Sequence, residues 1–589
     1  MKARILLPAA LAVLAILSCK IPGSSSPSSS TASSATVFLT DYSGDFSYSL
    51  DVGSDPKNVY FVFSNKQVST SADAATVKNS VGSIKVNGST IAASTTQPAG
   101  GPSASSTKAK DHLALKNRNI LSVVGGSGFT AAKSIAVGST SSDAVSTSGS
   151  FYDTTVSDYS TFTATCQYTS GPITVSDGTT RTLNVYVANN CWNGTQSGEG
   201  AYGSKKHGIN RDMVNALAAK FLTDGVNDIY GWETAMLGPE WGSTGYSELI
   251  GFDKQIDILL TDISGDNNDD GSGADGVIVG YFDPSNNFTN TALTSMGYAA
   301  DSNQKIMFVI DAVLYANPNA DGGTSSGGTG WSASNYWAEE VFSTLSHEFQ
   351  HMIQFYRKGI VVRGDGETAD TWINEMCSQL VEDLVASKLG VKGPRGVDPS
   401  DGTAGPTDNK YGRIPYFNQY LSSIDRQLTK TSDYDVLDYS FSYAFGAWLM
   451  RNYGGAQFVK NVVYSSATDS DCITNAVNSY SGQSLSMGDL ISRWAVAVLG
   501  SSRTDMPLGY RYNTGDWTNS SSNGVPYKLG SIDFFNYSWT PQVLSGSATT
   551  NSIAASSNVY YLAKTGMTGS KNWSLSLPKG VGFNVYVTQ

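Results

Sequence analysis

His347-Glu348-Phe349-Gln350-His351 sets two of the four histidines of this 589-residue chain on either side of a glutamate. On an α-helix, residues four apart share a face, so both imidazoles can reach one metal ion. Glu348 lies about 100° around the axis from His347, beside such an ion rather than on it, where a base for an activated water belongs. The spacing predicts a hydrolytic centre with zinc as the ion and Glu348 as the base. The competing reading is two core histidines with a solvated glutamate between them, and the glutamate set inside the pair argues against it.

That chemistry needs a helix, and the flanking residues supply one. Ser334 and Asn335 suit its start, and Glu339 and Glu340 sit in the first turn, where the helix dipole favours anions. Val341, Phe342, Leu345, Phe349, Met352, Ile353 and Tyr356 recur at helical spacing, Arg357 and Lys358 fall in the expected last turn, and Gly359 is the expected stop. A catalytic zinc takes three protein ligands, so one is missing. Gln354 and Arg357 hold the places where a third downstream histidine would stand. His112, in a Lys-rich stretch, and His207, beside Lys205 and Lys206, read as surface residues. A carboxylate remains. Glu375, on a helix expected from about Asp370, is preferred, with the small Ser378 one turn on to let two helices approach. Glu382 and Asp383, two turns further along, read as the outer face of that helix, and Glu367 as part of the connecting loop.

His-Glu-x-x-His followed by Asn374-Glu375 resembles the gluzincin peptidases, the group that contains thermolysin. The fuller string from His347 to Gln354, with Trp372-Ile373-Asn374-Glu375-Met376 after it, resembles the hyicolysin family of secreted bacterial metallopeptidases. Tyr439 to Leu449, with Asn452-Tyr453-Gly454, is similar to the helix that follows the zinc helices in such enzymes. The resemblance covers about residues 200–500. It implies one catalytic zinc on His347, His351 and Glu375, peptide hydrolysis, and a preceding β-rich region. It also makes Tyr439 or Tyr443 the donor to the oxyanion, against the reading of both as core aromatics. The segment Lys305–Asp311 reads as a strand before the active-site helix, and in such folds an edge strand receives the substrate. One departure stands out: thermolysin has an aspartate one turn after its ligand glutamate, supporting a histidine, and here that place holds Gln379. The supporting carboxylate is therefore unassigned. The Gly-x-Met-Glu-Asn motif that grips a free amino terminus does not occur, which favours an endopeptidase over a related aminopeptidase.

The expected fold is a multidomain α+β chain, a gluzincin-type domain of mixed sheet and active-site helices flanked by β-rich domains at both ends. Lys2 and Arg4 before the apolar run Ile5–Leu17 read as a signal peptide over 1–18, and Cys19 closes a loose lipoprotein box. Residues 19–36 read as a Ser-rich, lipid-anchored tether. Residues 37–102 and 120–198 are expected to be β-rich domains around a linker at 103–119. The metallopeptidase domain is expected over 199–500 and a C-terminal β-rich domain over 501–589. The β-rich flanks suit a propeptide, a substrate-binding module or spacers. A formal charge of −12 with 15% charged residues argues against nucleic acid or an anionic membrane as partner. Protein or peptide substrates are expected instead, at the cell surface or after secretion, with membrane contact only through a lipid on Cys19. A surface adhesin that keeps a peptidase fold is the rival class, and the complete His, Glu, His and Glu set counts against it. Asp266, Asn268 and Asp270 before Gly271 imitate a calcium loop, but position twelve of that loop is Val277 rather than glutamate. Cys166 and Cys191, flanking an expected strand, are candidates to pair, and Cys377 reads as a small buried residue.

Overall fold

The computed structural model of the chain describes most of residues 44–68, 145–193, 208–263, 278–318, 330–396, 412–512 and 553–588, with short pieces at 30–40, 84–90 and 516–544. The signal run, Cys19 and most of its tether, the 103–119 linker, His112, His207 and the calcium candidates Asp266, Asn268 and Asp270 lie outside the described residues.

A mixed sheet carries the catalytic half. Its strands run in the order Gly280–Tyr281, Met307–Asp311, Gln255–Thr261, Thr180–Ala188, Thr161–Thr169 and Ser148–Tyr152. Thr180–Ala188 and Gln255–Thr261 pair in parallel, as do Gln255–Thr261 and Met307–Asp311, while the short edge strand Gly280–Tyr281 runs antiparallel. Parallel strands covered on both faces need apolar residues at every position rather than alternation, and Met307–Asp311 is buried throughout. The described part of residues 120–198, a range expected as a separate domain, instead supplies strands of this sheet, because Thr180–Ala188 hydrogen-bonds to Gln255–Thr261 on one side and Thr161–Thr169 on the other.

The two β-rich ends also differ from the expectation of separate flanking domains. Lys57–Asn65 lies between Asn558–Met567 and Val581–Thr588, and Gly44–Asp51 pairs along its length with Ser570–Leu577. Each end alone would leave open strand edges and a half-covered apolar face, which pairing removes. Tyr48, Phe61, Phe63, Trp573 and Phe583 make the shared core, with Phe61 5.1 Å from Phe583 and 5.0 Å from Trp573 by ring centroids. This sandwich packs on the helix Met487–Leu499, where Asn584 Nδ2 donates to Ser492 Oγ at 2.9 Å. The backbone of Lys66 approaches Gly488 so closely that a Cβ there would lie 2.7 Å from the Lys66 carbonyl oxygen.

Two antiparallel helices cross beneath the sheet. The helix that carries His347 and His351, Tyr336–Gln354, is almost wholly buried, and Asn335 holds its N-cap position without a side-chain bond to the helix. It does not stop at Gly359. A π-helical stretch, Phe355–Arg363, continues it to Gly364, whose left-handed φ of 72° makes the true end. Gly359 is needed for another reason, since a Cβ there would meet the Gly366 backbone at 3.0 Å. The helix that carries Glu375 is Thr371–Leu389, capped at Asp370 where the sequence suggests its start and ending on left-handed Gly390.

The pairing of Cys166 with Cys191 is not found. Cys166 faces the core that contains Tyr186 and Leu259, Cys191 the opposite core with Val185 and Val187, so the sheet stands between them. Cys377 is buried, as expected.

Candidate metal centre

The first of the two crossing helices offers His347, His351 and Phe355 at intervals of four, and the second lies against it in the opposite direction. His347 meets Glu375 and Glu382, while His351 meets Asn374 and Ser378. Nε2 of His347 is 3.1 Å from Glu375 Oε2, and Nε2 of His351 is 3.5 Å from Oε1 of the same carboxylate. All three ligand atoms lie within 4.8 Å of one another, and all three residues are buried. Neighbouring ligands on a tetrahedral zinc, each at about 2.0–2.1 Å, stand about 3.3 Å apart. The donor set and its spacing fit zinc.

The other ring nitrogens are committed in the way a metal-bound histidine requires. His347 Nδ1 lies 2.5 Å from Glu382 Oε1, and Ser343 Oγ donates to Glu382 Oε2 at 2.7 Å. Nδ1 of His351 is 3.2 Å from Asn374 Oδ1 and 3.1 Å from Ser378 Oγ, and that hydroxyl donates to Gln350 Oε1 at 2.5 Å. Asn374 thus orients one candidate ligand and its neighbour Glu375 is another, which gives the Asn-Glu pair a physical meaning.

Glu382 corrects the sequence reading. It was expected on the outer face, yet seven residues is two helical turns, so Glu382 lies almost directly above Glu375 on one face. That spacing was the available signal. Glu382 is the carboxylate that Gln379 left unassigned. Asp383 is not outward either: it is fully buried between Arg395, at 2.6 Å, and Arg451, at 3.1 Å. Glu367 stays in the loop, paired with Arg363 at 2.7 Å. Replacing Glu382 with glutamine is expected to lower zinc affinity about 10–100-fold without unfolding the chain. Chelator competition measures this, and an unchanged affinity would leave Glu382 without a part in orienting His347.

Glu348 is buried, and its Oε2 accepts the Phe282 backbone N–H at 2.7 Å. Phe282 directly follows the edge strand Gly280–Tyr281, so Glu348 and the sheet edge are tied together. Met307–Asp311, by contrast, is an inner strand. Burial pushes the Glu348 carboxyl above its ordinary range, while the His347 and His351 rings oppose the shift. Burial also disfavours a charged His347, but bonds to Glu375 and Glu382 outweigh it and hold the imidazole well above its usual range. Glu375 itself is drawn down to about 2, its burial overcome by His351 and His347. The anionic carboxylate between two imidazoles is a cation site by charge as well as by shape.

The two tyrosines separate. Tyr443, on the helix Val436–Asn452, donates its hydroxyl to Asp383 Oδ2 at 3.1 Å and is fully buried. It is joined to the arginine–aspartate cluster and not to the histidines. Tyr439 is also buried, but among the described residues its hydroxyl has no hydrogen-bond partner. A buried donor left unmade costs about 1–3 kcal/mol, which distinguishes Tyr439 from Tyr443.

Comparison with known proteins agrees with this geometry. Residues 158–587 match the family described as Peptidase M30. A neutral metalloprotease, ShpI, of Staphylococcus hyicus is 25% identical over 260 residues, covering 42% of this chain and 51% of that protein. The chain thus spans about half the length of the curated relative it matches. A solved aminopeptidase A of Legionella pneumophila, in complex with aspartic acid, aligns with 56% of this chain and 28% of its own at 12% identity. Its TM-score of 0.26 is too low for that likeness to bear on the fold. The family match takes in the helices that carry His347, His351 and Glu375 and most of the sheet beside them, and this chain belongs to the peptidase M30 family.

Proposed function

We propose that the chain is a zinc-dependent endopeptidase. The observation that carries the reading is the convergence of both Nε2 atoms on Glu375, with each Nδ1 held from behind and Glu348 one residue from His347.

A zinc ion on His347, His351 and Glu375 supplies Lewis acidity, which polarises the scissile carbonyl and brings the pKa of water towards about 7. Glu348 then takes the water proton and later returns it to the leaving amine. Its bond to Phe282 fixes one oxygen and turns the carboxylate to one side of the histidines. Burial that raises its carboxyl makes it the better proton acceptor. An extended peptide adding to the edge strand Gly280–Tyr281 would run past that carboxylate. Tyr439, with its uncommitted hydroxyl, is the better supported donor to the oxyanion, and Tyr443 is supported as a core residue bound to Asp383.

Endopeptidase action is supported by the missing amino-end motif. The basic and apolar start of the sequence supports export with a lipid on Cys19, and among the described residues no helix is long and apolar enough to cross a membrane. The test is cleavage of a peptide blocked at its amino end. Chelation is expected to abolish cleavage and one zinc per chain to restore it. Cleavage that survives complete zinc removal would refute the reading.

A further inference from the structure

We propose that Arg413 selects substrates with a carboxylate side chain close to the scissile bond, an inference that rests on the peptidase reading of the site. Arg413 opens the helix Arg413–Tyr420 and is half-buried. Its backbone N–H donates to the Pro394 carbonyl at 2.7 Å, which fixes its Cα. Its Nε donates to Gln379 Oε1 at 3.2 Å, and Gln379 Nε2 donates to the Glu375 carbonyl at 3.3 Å. The guanidinium is therefore tethered to Gln379, which stands four residues, about 6 Å of helix rise, beyond Glu375. On its other side the guanidinium carbon stands 5.4 Å from the centre of the Tyr439 ring, which restricts its plane.

Among the described residues, the two terminal amino groups of Arg413 donate to nothing. The nearby carboxylates are largely engaged elsewhere. Glu382 is held by His347 and Ser343, and Asp383 by Arg395 and Arg451. Glu340 faces Arg413, but burial first, then Glu382 and Glu339, push its carboxyl up to about 7, so it is a part-ionised counter-ion near neutrality. A planar fork held at its Nε, restricted on one face and short of a full counter-charge is matched best by a carboxylate, which can take two parallel bonds.

The test uses the zinc-loaded full chain and blocked peptides with one cleavable bond. Asp is exchanged for Asn, and Glu for Gln, at each of the four positions nearest that bond. The wild type is expected to favour the acidic member about tenfold or more in kcat/KM at one position. In Arg413→Gln that ratio is expected to fall to near one. Arg413→Lys, which keeps the charge and loses the fork, should give an intermediate ratio and carries the test if the glutamine variant unfolds. Equal cleavage of every acid–amide pair by the wild type would overturn the proposal and leave the peptidase standing, with Arg413 gripping a neutral carbonyl instead. A preference that persists in both variants would overturn it as well. No cleavage of any peptide by zinc-loaded wild type would sink the peptidase reading and this inference with it.

Discussion

Glu348→Gln is expected to lower kcat by about 10²–10⁴ while the protein keeps one zinc per chain and its thermal unfolding profile. Glutamine retains the shape of the side chain and an oxygen that can accept the Phe282 N–H, so the local structure has no reason to change. It removes only the capacity to take up a proton. Glu348 does not belong to the ligand set, because one residue along a helix turns it about 100° from His347. Metal content and activity should therefore part company in this variant. They are read by elemental analysis and by cleavage of a blocked peptide on the same preparation. Loss of zinc along with activity would mean that Glu348 is a ligand, and retained activity would remove it from the role of base.

Glu375→Ala should behave in the opposite way, losing the zinc first and the activity as a consequence. Both imidazole Nε2 atoms face this carboxylate, which at about 2 is anionic throughout the working range. Without it two histidines remain, and the only anionic donor of the three is gone. The loss in affinity should exceed the 10–100-fold expected for Glu382→Gln, which disturbs only the orientation of His347. Dialysis against a zinc buffer followed by metal analysis separates the two variants. Full metal content in Glu375→Ala would refute the ligand assignment and return Glu382 to consideration.

The centre was legible in the sequence because its parts are local. His347, Glu348 and His351 are fixed relative to each other by helical geometry alone, and Glu375 follows on the next helix after a turn marked by Gly364, Asp365 and Gly366. Glu382 was misread although it obeys the same periodicity, because a second carboxylate two turns on differs from a solvated one only through what the facing helix presents. Here that is Ser343 and His347. Gly359 was misread for a related reason: as a letter it signals a helix end, and only the neighbouring Gly366 backbone shows that close approach is its purpose.

By itself the sequence determined the His, His and Glu set, the two helices that carry it and the strand at Met307–Asp311 to within two residues. These follow from spacing and periodicity, which depend on neighbours along the chain. Only the tertiary structure decided that residues 44–65 and 558–588 build one sandwich, and that 161–188 belong to the catalytic sheet. It also decided that Cys166 and Cys191 face opposite cores, and that Tyr443 serves Asp383 while the Tyr439 hydroxyl stays uncommitted. An open strand edge or a buried hydroxyl is satisfied by whichever partner the folded chain brings up. Those partners lie tens to hundreds of residues away, where no local pattern records them.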